Sequence, residues 1–358
     1  FSPSEFEFES PVYTLNTVAR AQYTWGGRGK IAALAMDREY LVGSRRVGHN
    51  QVVGLDGQLF LTDQVNLALA GYYSHARALS DALLEGYALR ARLVYKTETF
   101  RIQTHYERVS PEFRSEGGYI PRVDYHNVFA KIDAYHRSDV PWRRTISPGV
   151  WVGLFLDDAG VIKERILGVN TFWLFGPRIF VLPVFQRIAE RIDGRWLDTN
   201  QGTLHFGVRA WREVQLHATL EVGDTIIRSD LLGDDEAHYV GRQLGPGLGL
   251  TLRPHRQVSV IFSYQHRMIW RTWGGERLAD EPLVRGAIRA FFTRDLHLRA
   301  IVEWDGLNER VTSDLLLSYR PSPGTVFFLG YREATTVAPT VSVHERSLFL
   351  KFSYLFTI

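Results

Sequence analysis

The C-terminal stretch is Arg346-Ser347-Leu348-Phe349-Leu350-Lys351-Phe352-Ser353-Tyr354-Leu355-Phe356-Thr357-Ile358, and its side chains alternate with a period of two. One face carries the large apolar residues Leu348, Leu350, Phe352, Tyr354, Phe356 and Ile358. The opposite face carries Ser347, Lys351, Ser353 and Thr357, together with Phe349 and Leu355. A period of two predicts a β-strand. Outer-membrane barrels commonly end on such a strand, which pairs with the first strand and turns its apolar face to lipid. We therefore predict a barrel-closing strand that includes Phe352, Tyr354, Phe356 and Ile358.

The composition of the 358-residue chain excludes helical membrane spans, because no run of about 18 apolar residues occurs. The mean hydropathy of −0.14 resembles that of a soluble protein. A barrel strand exposes only alternate residues to lipid, so this value is equally compatible with a barrel. Aromatic residues make up 13% of the chain, which suits the interfacial girdles of a barrel, although a large β-sandwich core would also use them.

The charge balance and the lack of cysteine exclude other classes. Without cysteine, neither disulfides nor thiolate metal sites can form. The 42 basic and 39 acidic residues give a net charge of +3, without the basic excess of a nucleic-acid-binding protein. We therefore expect no nucleic-acid partner and no cofactor. The chain begins at Phe1 with no signal peptide ahead of it, which predicts a mature or trimmed form.

The alternation of the C-terminal stretch recurs along the whole chain in about nineteen or twenty segments of about ten residues. Clear examples are Gly86–Lys96, Phe100–Val109 and Leu296–Asp305. Short links such as Thr97–Thr99 alternate with long ones. The long links are Ser74–Glu85, Ser110–Arg122, Asp193–Asn200, Asp224–His238, Arg271–Glu281 and Thr335–Glu345. With a periplasmic C-terminus, the short links become periplasmic turns and the long ones external loops. Arg137–Arg144 breaks this alternation.

The main alternative is a large soluble β-protein, such as a propeller or a sandwich, whose polar face lies in water. No repeat of about 40–50 residues supports a propeller, and the strands exceed the usual length of about five or six residues. We therefore predict an all-β fold, a single transmembrane antiparallel outer-membrane β-barrel of about 18–20 strands. It would span residues 1–358. Residues 1–15 are either an extra strand, because Glu5-Phe6-Glu7-Phe8-Glu9 alternates, or a periplasmic tail.

The polar faces of the predicted strands are charged, and their side chains would line the lumen of the barrel. The predicted lumen-lining residues are Arg90, Arg92, Lys96, Arg101, His105, Glu107, Arg209, Glu221, Arg267, Arg285, Arg289, Arg299 and Glu303. Such a ladder of charges would line a polar channel and set its ion preference. The alternative is a cross-strand ion-pair network that keeps a wide barrel open, while loops or another chain fill the interior.

No motif indicates catalysis. The histidines are scattered as single inward or loop residues, and neither a His-Glu-x-x-His nor a Gly-x-Ser-x-Gly pattern occurs. The acidic stretches Asp157-Asp158 and Asp234-Asp235-Glu236 lack the ligand spacing of a calcium loop, so we interpret them as solvated loop charges. Gly245-Pro246-Gly247-Leu248-Gly249 lies within a strand-like segment, where its glycines would permit a kink in the barrel wall. We expect no enzyme activity and no catalytic, cofactor-binding or metal-binding residues.

One loop and several strand segments resemble a known family. Pro111-Glu112-Phe113 followed by Gly118-Tyr119-Ile120-Pro121-Arg122-Val123-Asp124 resembles its loop motif. Further matches are Val18-Ala19-Arg20 and Ala32–Asp37 within Tyr13–Glu39, Gly54-Leu55-Asp56, Pro323-Gly324-Thr325 and Tyr331-Arg332. Together they resemble the uncharacterised outer-membrane barrel domain of Gram-negative bacteria that commonly follows a carbohydrate-binding family 9-like module. The resemblance implies an upstream module and further strands, which either were cleaved off or belong to a separate polypeptide.

These patterns predict a bacterial outer-membrane barrel with a polar lumen. The leading hypothesis is a porin-like channel, or the membrane component of an uptake system for a solute such as a saccharide or an oligopeptide. The second is a structural or assembly barrel that anchors a partner protein, or whose lumen is filled by loops or another chain. An outer-membrane hydrolase is less favoured, because no rim triad is visible. Expected partners are the lipid bilayer with lipopolysaccharide, and a polypeptide that supplies N-terminal strands or fills the lumen.

Overall fold

The computed structural model describes residues 12–77, 82–116, 122–140, 142, 145–209, 211–228, 238–322, 324–337 and 342–354. Within these ranges the chain forms a sheet of 20 strands, whose neighbours pair antiparallel. The strands are β1 (Val12–Trp25), β2 (Gly29–Val42), β3 (Arg45–Phe60), β4 (Val65–Arg77), β5 (Leu83–Lys96), β6 (Phe100–Val109), β7 (Tyr125–Ala134), β8 (His136–Arg137), β9 (Thr145–Leu156), β10 (Ile162–Phe175), β11 (Ile179–Ile192), β12 (Arg195–Val208), β13 (Val214–Ile227), β14 (Tyr239–His255), β15 (Val258–Trp270), β16 (Arg277–Phe291), β17 (Leu296–Asp305), β18 (Arg310–Ser322), β19 (Thr325–Thr336) and β20 (Ser342–Tyr354). Across the described ranges, no helix has the length and apolar character that a membrane span requires.

The chain divides into two compact units. The first unit comprises residues 1–135, 148–169 and 188–196, and the second comprises residues 136–147, 170–187 and 197–358. Strands β1–β7 belong to the first unit and β13–β20 to the second. In each unit the strands have one polar and one apolar face. The single barrel domain over residues 1–358 stays a prediction.

The apolar face of the first unit is exposed. On β3 the side chains of Val53 and Leu55 are 52% and 58% exposed, whereas Val52, which points to the other face, is 2% exposed. Leu69 on β4 and Leu89 on β5 continue this exposed face. A contiguous apolar surface of this kind is unfavourable in water and favourable in lipid.

The second unit shows the same division at its last strand. On β20, Leu348 and Leu350 are 74% and 77% exposed, and Phe352 and Tyr354 lie on the same face. The period of two in the C-terminal stretch therefore does form a strand, as predicted. Phe356 and Ile358 lie outside the described residues, and so does the predicted strand at Glu5–Glu9. The barrel-closing role of β20 stays a prediction.

Several strands extend into segments that were predicted to be loops. The expected loop Asp193–Asn200 is wrong, because β11 ends at Ile192 and β12 begins at Arg195. Asp193 and Gly194 form a tight turn with positive φ angles of 49° and 80°. Asp-Gly is a strong signal for a two-residue hairpin turn, since glycine adopts positive φ without strain. The strict alternation of short and long links therefore fails at this hairpin.

The irregular link at Arg137–Arg144 has a structural basis. After β7 ends at Ala134, His136 and Arg137 form the two-residue strand β8, which pairs with Ile146 and Thr145 of β9. The link therefore begins later than predicted, because Arg137 is still part of the sheet.

Candidate functional site

In the first unit, the predicted lumen residues of β5 and β6 share the polar face, opposite the exposed Leu89 and Leu93. The cross-strand neighbours are Arg90 and Glu107, Arg92 and His105, and Lys96 and Arg101. Arg92 and Arg101 both donate to the amide oxygen of Gln103, over 2.9 and 2.8 Å. The amide acceptor thus holds two cations side by side without an acid between them.

Part of this polar face is covered by the chain itself. The segment Ser110–Glu116, which follows β6 and is called the docked segment below, packs against the polar faces of β2–β5. Phe113 is only 4% exposed and joins a cluster with Val52, Val109 and Tyr125. The apolar Phe113 side chain therefore anchors the docked segment to the wall.

Glycine is required beneath the docked segment. An ideal Cβ atom on Gly86 would lie 2.2 Å from the backbone nitrogen of Phe113 and 2.4 Å from its Cα atom. Both distances are far below van der Waals contact, and the obstacle is backbone, which cannot rotate away. Only glycine permits this approach.

Buried polar side chains hold the backbone of the docked segment. The Arg114 amide donates to Ser74 Oγ over 3.0 Å. Asn50 uses both ends of its amide: Nδ2 donates to the Arg114 carbonyl, and Oδ1 accepts from the Glu116 amide, each over 3.1 Å. Asn50 and Ser74 are 3% and 0% exposed, so these bonds satisfy groups that water cannot reach.

Side chains of β2 hold the end of the docked segment at Glu116. Arg38 Nη1 donates to the Glu116 carbonyl over 2.8 Å, and the Tyr40 hydroxyl donates to the Glu116 carboxylate. Sequence reasoning missed this docking. The sequence features that could have indicated it are a glycine on the polar face of β5 and the uncharged residues Asn50 and Ser74 on strand faces that carry charges elsewhere.

In the second unit, ion pairs between strands line the polar face. The pairs are Arg267–Glu281 at 3.8 Å, Arg285–Glu303 at 3.7 Å, Arg332–Asp314 at 3.9 Å and Arg310–Glu345 at 3.5 Å. Arg289 and Arg299, also predicted to line the lumen, face each other across β16 and β17. Arg209 lies one residue beyond β12, where its amide donates to the Arg178 carbonyl over 2.8 Å. It is therefore at the edge of this wall. The lumen-lining role of all thirteen residues stays a prediction.

A cavity of about 610 Å³ opens among β12–β17. Its lining includes Gln201, Glu221, Gln243, Gly245, Gln265 and Arg267. Gln243 donates to the Glu221 carboxylate, and Gln186 donates to Gln201 over 2.8 Å. Gly245 and Gly247 stand opposite Glu221 and Thr219, so β14 offers bare backbone there. Amides, a carboxylate and open backbone bind hydroxyl and amide groups of a polar ligand.

A row of rings lies beside a second cavity of about 370 Å³, which Phe180 and His217 help to line. The ring centroids of Phe172 and Phe180 are 6.1 Å apart, those of Phe180 and His217 are 6.2 Å apart, and those of His217 and His205 are 6.1 Å apart. The planes of neighbouring rings differ by 20° to 30°.

A glycine again permits the packing, because a Cβ atom on Gly207 would lie 2.0 Å from the Phe180 ring. His205 and His217 are thus neighbours, not isolated as predicted, because adjacent strands bring them into one row.

Asp157 and Asp158 form hydrogen bonds and ion pairs with neighbouring residues of the chain. Asp157 Oδ1 accepts from the Val161 amide over 2.8 Å, and its Oδ2 lies 3.0 Å from Lys163 Nζ. The Val161 hydrogen bond, followed by Lys163, lowers the pKa of Asp157. Asp158 pairs with Arg108 and His126. Throughout the described ranges, no three histidine or acidic side chains are placed to hold a metal ion. Asp234-Asp235-Glu236 lies outside those ranges.

A large antiparallel sheet with exposed apolar faces and charged polar faces defines a class, the transmembrane β-barrel. No family model matches this sequence, and no curated protein matches it. Solved structures do match. The siderophore receptor PirA from Pseudomonas aeruginosa is 9% identical with a TM-score of 0.62, and the match covers 96% of this chain and 70% of that one.

Two further structures agree with this match. The ferric enterobactin receptor PfeA from Pseudomonas aeruginosa is 9% identical with a TM-score of 0.64, over 98% of this chain and 71% of that one. The outer membrane transporter YddB from Escherichia coli is 9% identical with a TM-score of 0.57, over 97% and 76%. The fold of this chain is therefore that of a transmembrane antiparallel β-barrel of the Gram-negative outer membrane, as the sequence predicted.

Proposed function

We propose that this chain forms a passage for polar solutes through the outer membrane, either as a porin-like channel or as the membrane component of an uptake system. The observation that carries this proposal is the polar face of the second unit. Ion pairs and a cavity of about 610 Å³ occupy that face, while the opposite face exposes apolar side chains. In a barrel the first face borders the lumen and the second borders lipid.

The side chains of the second unit favour a saccharide over an oligopeptide. The glutamines and Glu221 offer donors and acceptors to hydroxyl groups, and the near-parallel rings of Phe180 and His217 offer flat surfaces to the C–H faces of sugar rings. A peptide would instead need pockets for side chains of varied shape.

The structural neighbours support a transport role. Their names describe a siderophore receptor, a ferric enterobactin receptor and an outer membrane transporter. Their cargo is not transferred to this chain, because the identity is only about 9%. We further propose that the chain is related to the outer-membrane barrel domain family that follows a carbohydrate-binding family 9-like module. The motif over residues 110–124 supports that relationship.

The experiment is a recording of current through the purified chain in a planar lipid bilayer. Stable ohmic steps are expected, and a neutral linear oligosaccharide should block them more strongly than an uncharged peptide of equal size. Replacing Phe180 by Leu should weaken the block about tenfold, since it removes a ring face. Phe129→Leu is the matched control, because Phe129 stacks on His105 in the first unit at 4.8 Å. Absence of current, in protein shown by circular dichroism to be folded, would exclude an open channel.

The docked segment favours a second function, a barrel that is filled or that anchors a partner. Ser110–Glu116 already covers polar wall in the first unit through Phe113 and five hydrogen bonds to Asn50, Ser74, Arg38 and Tyr40. In that case the wild-type chain should be silent in the bilayer, and Gly86→Ala, which releases the segment, should conduct. A silent Gly86→Ala variant that co-purifies with another polypeptide would favour the anchor.

A further inference from the structure

Arg289 and Arg299 are directly opposite each other on β16 and β17. Directly opposed residues of an antiparallel pair have their Cβ atoms about 4.5–5.5 Å apart. Two positively charged guanidinium groups in this position repel each other. This repulsion therefore raises the free energy of the folded chain as long as no anion is bound between the two arginines.

At the other positions of β15–β17 where two charged residues are directly opposed, the charges have opposite signs. Four residues before Arg289 on β16, Arg285 faces Glu303 at 3.7 Å, and Arg267 on β15 faces Glu281 at 3.8 Å. Among the described residues, Arg289 and Arg299 have no acidic partner. The Nε atom of Arg299 is shielded from solvent and forms no hydrogen bond within the described part of the chain.

The residues directly opposite on β15 and β18 supply no counter-charge, and Asp314, the acid diagonal to Arg299 on β18, is already paired with Arg332 at 3.9 Å. Arg289 faces Ser259 of β15, and Arg299 faces Leu316 of β18. The next residues on the same face, Phe291 and His297, stack on each other with centroids 5.4 Å apart. The residues directly opposite and next to the two arginines on this face are thus neutral or basic, and the diagonal Asp314 is already paired with Arg332. An anion bound between Arg289 and Arg299 would compensate both charges.

We propose that Arg289 and Arg299 form an anion-binding site that holds a carboxylate or phosphate group of the solute. Two planar guanidinium groups match the oxygens of either anion through paired N–H donors. The site rests on the proposed function, since it assigns the solute an anionic group in addition to its hydroxyl groups. It makes the solute an acidic or phosphorylated saccharide.

The test measures binding without relying on current. Thermal unfolding of the full chain in detergent is followed by circular dichroism at constant ionic strength, with inorganic phosphate, acetate or chloride as the anion. Phosphate or acetate should raise the Tm relative to chloride, because an anion that binds only the folded state stabilises it. The more effective of the two identifies the group that the site prefers. Arg289→Gln and Arg299→Gln should each weaken the apparent affinity about tenfold.

Arg285→Gln is the matched control, because Arg285 lies on the same face and already has Glu303 as its partner. Its response to phosphate and acetate should equal that of the wild type. Arg289→Lys keeps the positive charge, so it is a second variant in case Arg289→Gln does not fold. It should bind the anion more weakly than the wild type, because lysine lacks the planar pair of N–H donors. Equal loss in Arg285→Gln, or no difference between the anions in the wild type, would overturn the site. Anion binding by a chain that carries no current would retain the site and reject the channel.

Discussion

The backbone nitrogen of Phe113 lies where a side chain at Gly86 would have to be, 2.2 Å from an ideal Cβ atom. This contact joins the docked segment to the polar face of β5. Ser110–Glu116 can hold this position only because residue 86 has no Cβ atom. A substitution at Gly86 is therefore the most direct test of whether the segment packs on the polar face of the sheet in the membrane.

Gly86→Ala should displace the docked segment. Overpacking against backbone typically costs about 1–3 kcal/mol, and here undocking the segment relieves it while exposing Phe113. Hydrogen exchange at the Arg114 and Glu116 amides should therefore accelerate by at least about tenfold. Gly286→Ala is the control, because a Cβ atom there meets nothing within 4 Å. Unchanged protection in Gly86→Ala would contradict the docking.

Asn50→Ala should destabilise the same contact by loss of hydrogen bonds. The buried Asn50 side chain satisfies the Arg114 carbonyl and the Glu116 amide, and removing it leaves both without partners. The expected cost is about 1–3 kcal/mol, read as a lower midpoint of chemical denaturation. Gln22→Ala, on the exposed strand β1, serves as the control and should change the midpoint little. If both substitutions have the same effect, Asn50 has no special role.

Leu350→Lys should impair insertion into a bilayer. Leu350 lies on the exposed apolar face of β20, and a lysine on the lipid-facing side of a barrel costs up to about 4 kcal/mol. Ser347→Lys places the same charge on the opposite face of the same strand and should be tolerated. The measurement is the yield of the folded, heat-modifiable form after refolding into lipid vesicles. Equal yields from both variants would reject the assignment of the two faces.

The Asp157 turn should lose stability as the pH falls. Its pKa is lowered, chiefly by the Val161 amide and then by Lys163, so the ionised form is favoured in the folded turn. The stabilisation is complete above the ordinary pKa of about 3.9 and disappears as the pH falls through the lower folded value. Exchange of the Val161 amide should then accelerate. Asp157→Asn should abolish this pH dependence, and a variant that keeps it would point to another titrating group.

The period-two pattern predicted most of the strands and both faces, because each strand has one side in lipid and one side among charges. The C-terminal stretch illustrates this, since Leu348 and Leu350 are as exposed as the alternation requires. Link lengths were less predictable. Asp193-Gly194 belongs to a short turn, yet the polar residues after it resemble a loop, because one face of a barrel strand is itself polar.

Contacts between segments that are distant along the chain could not be predicted from the sequence. Phe113 is far from Val52 along the chain, and nothing in the alternation of either segment indicates that they meet. The row from Phe172 to His205 depends in the same way on strand register, which a periodic pattern does not specify across neighbours. The placement of Arg289 opposite Arg299 has the same origin.

The two-residue link Gly43-Ser44 between β2 and β3 lies at the same end of the first unit as the docked segment. These 358 residues contain no cysteine, so Ser44→Cys would introduce a single thiol into this chain. A membrane-impermeant maleimide added to intact cells would label that thiol if this rim faces the outside. One short turn therefore offers a direct determination of which way the barrel is inserted.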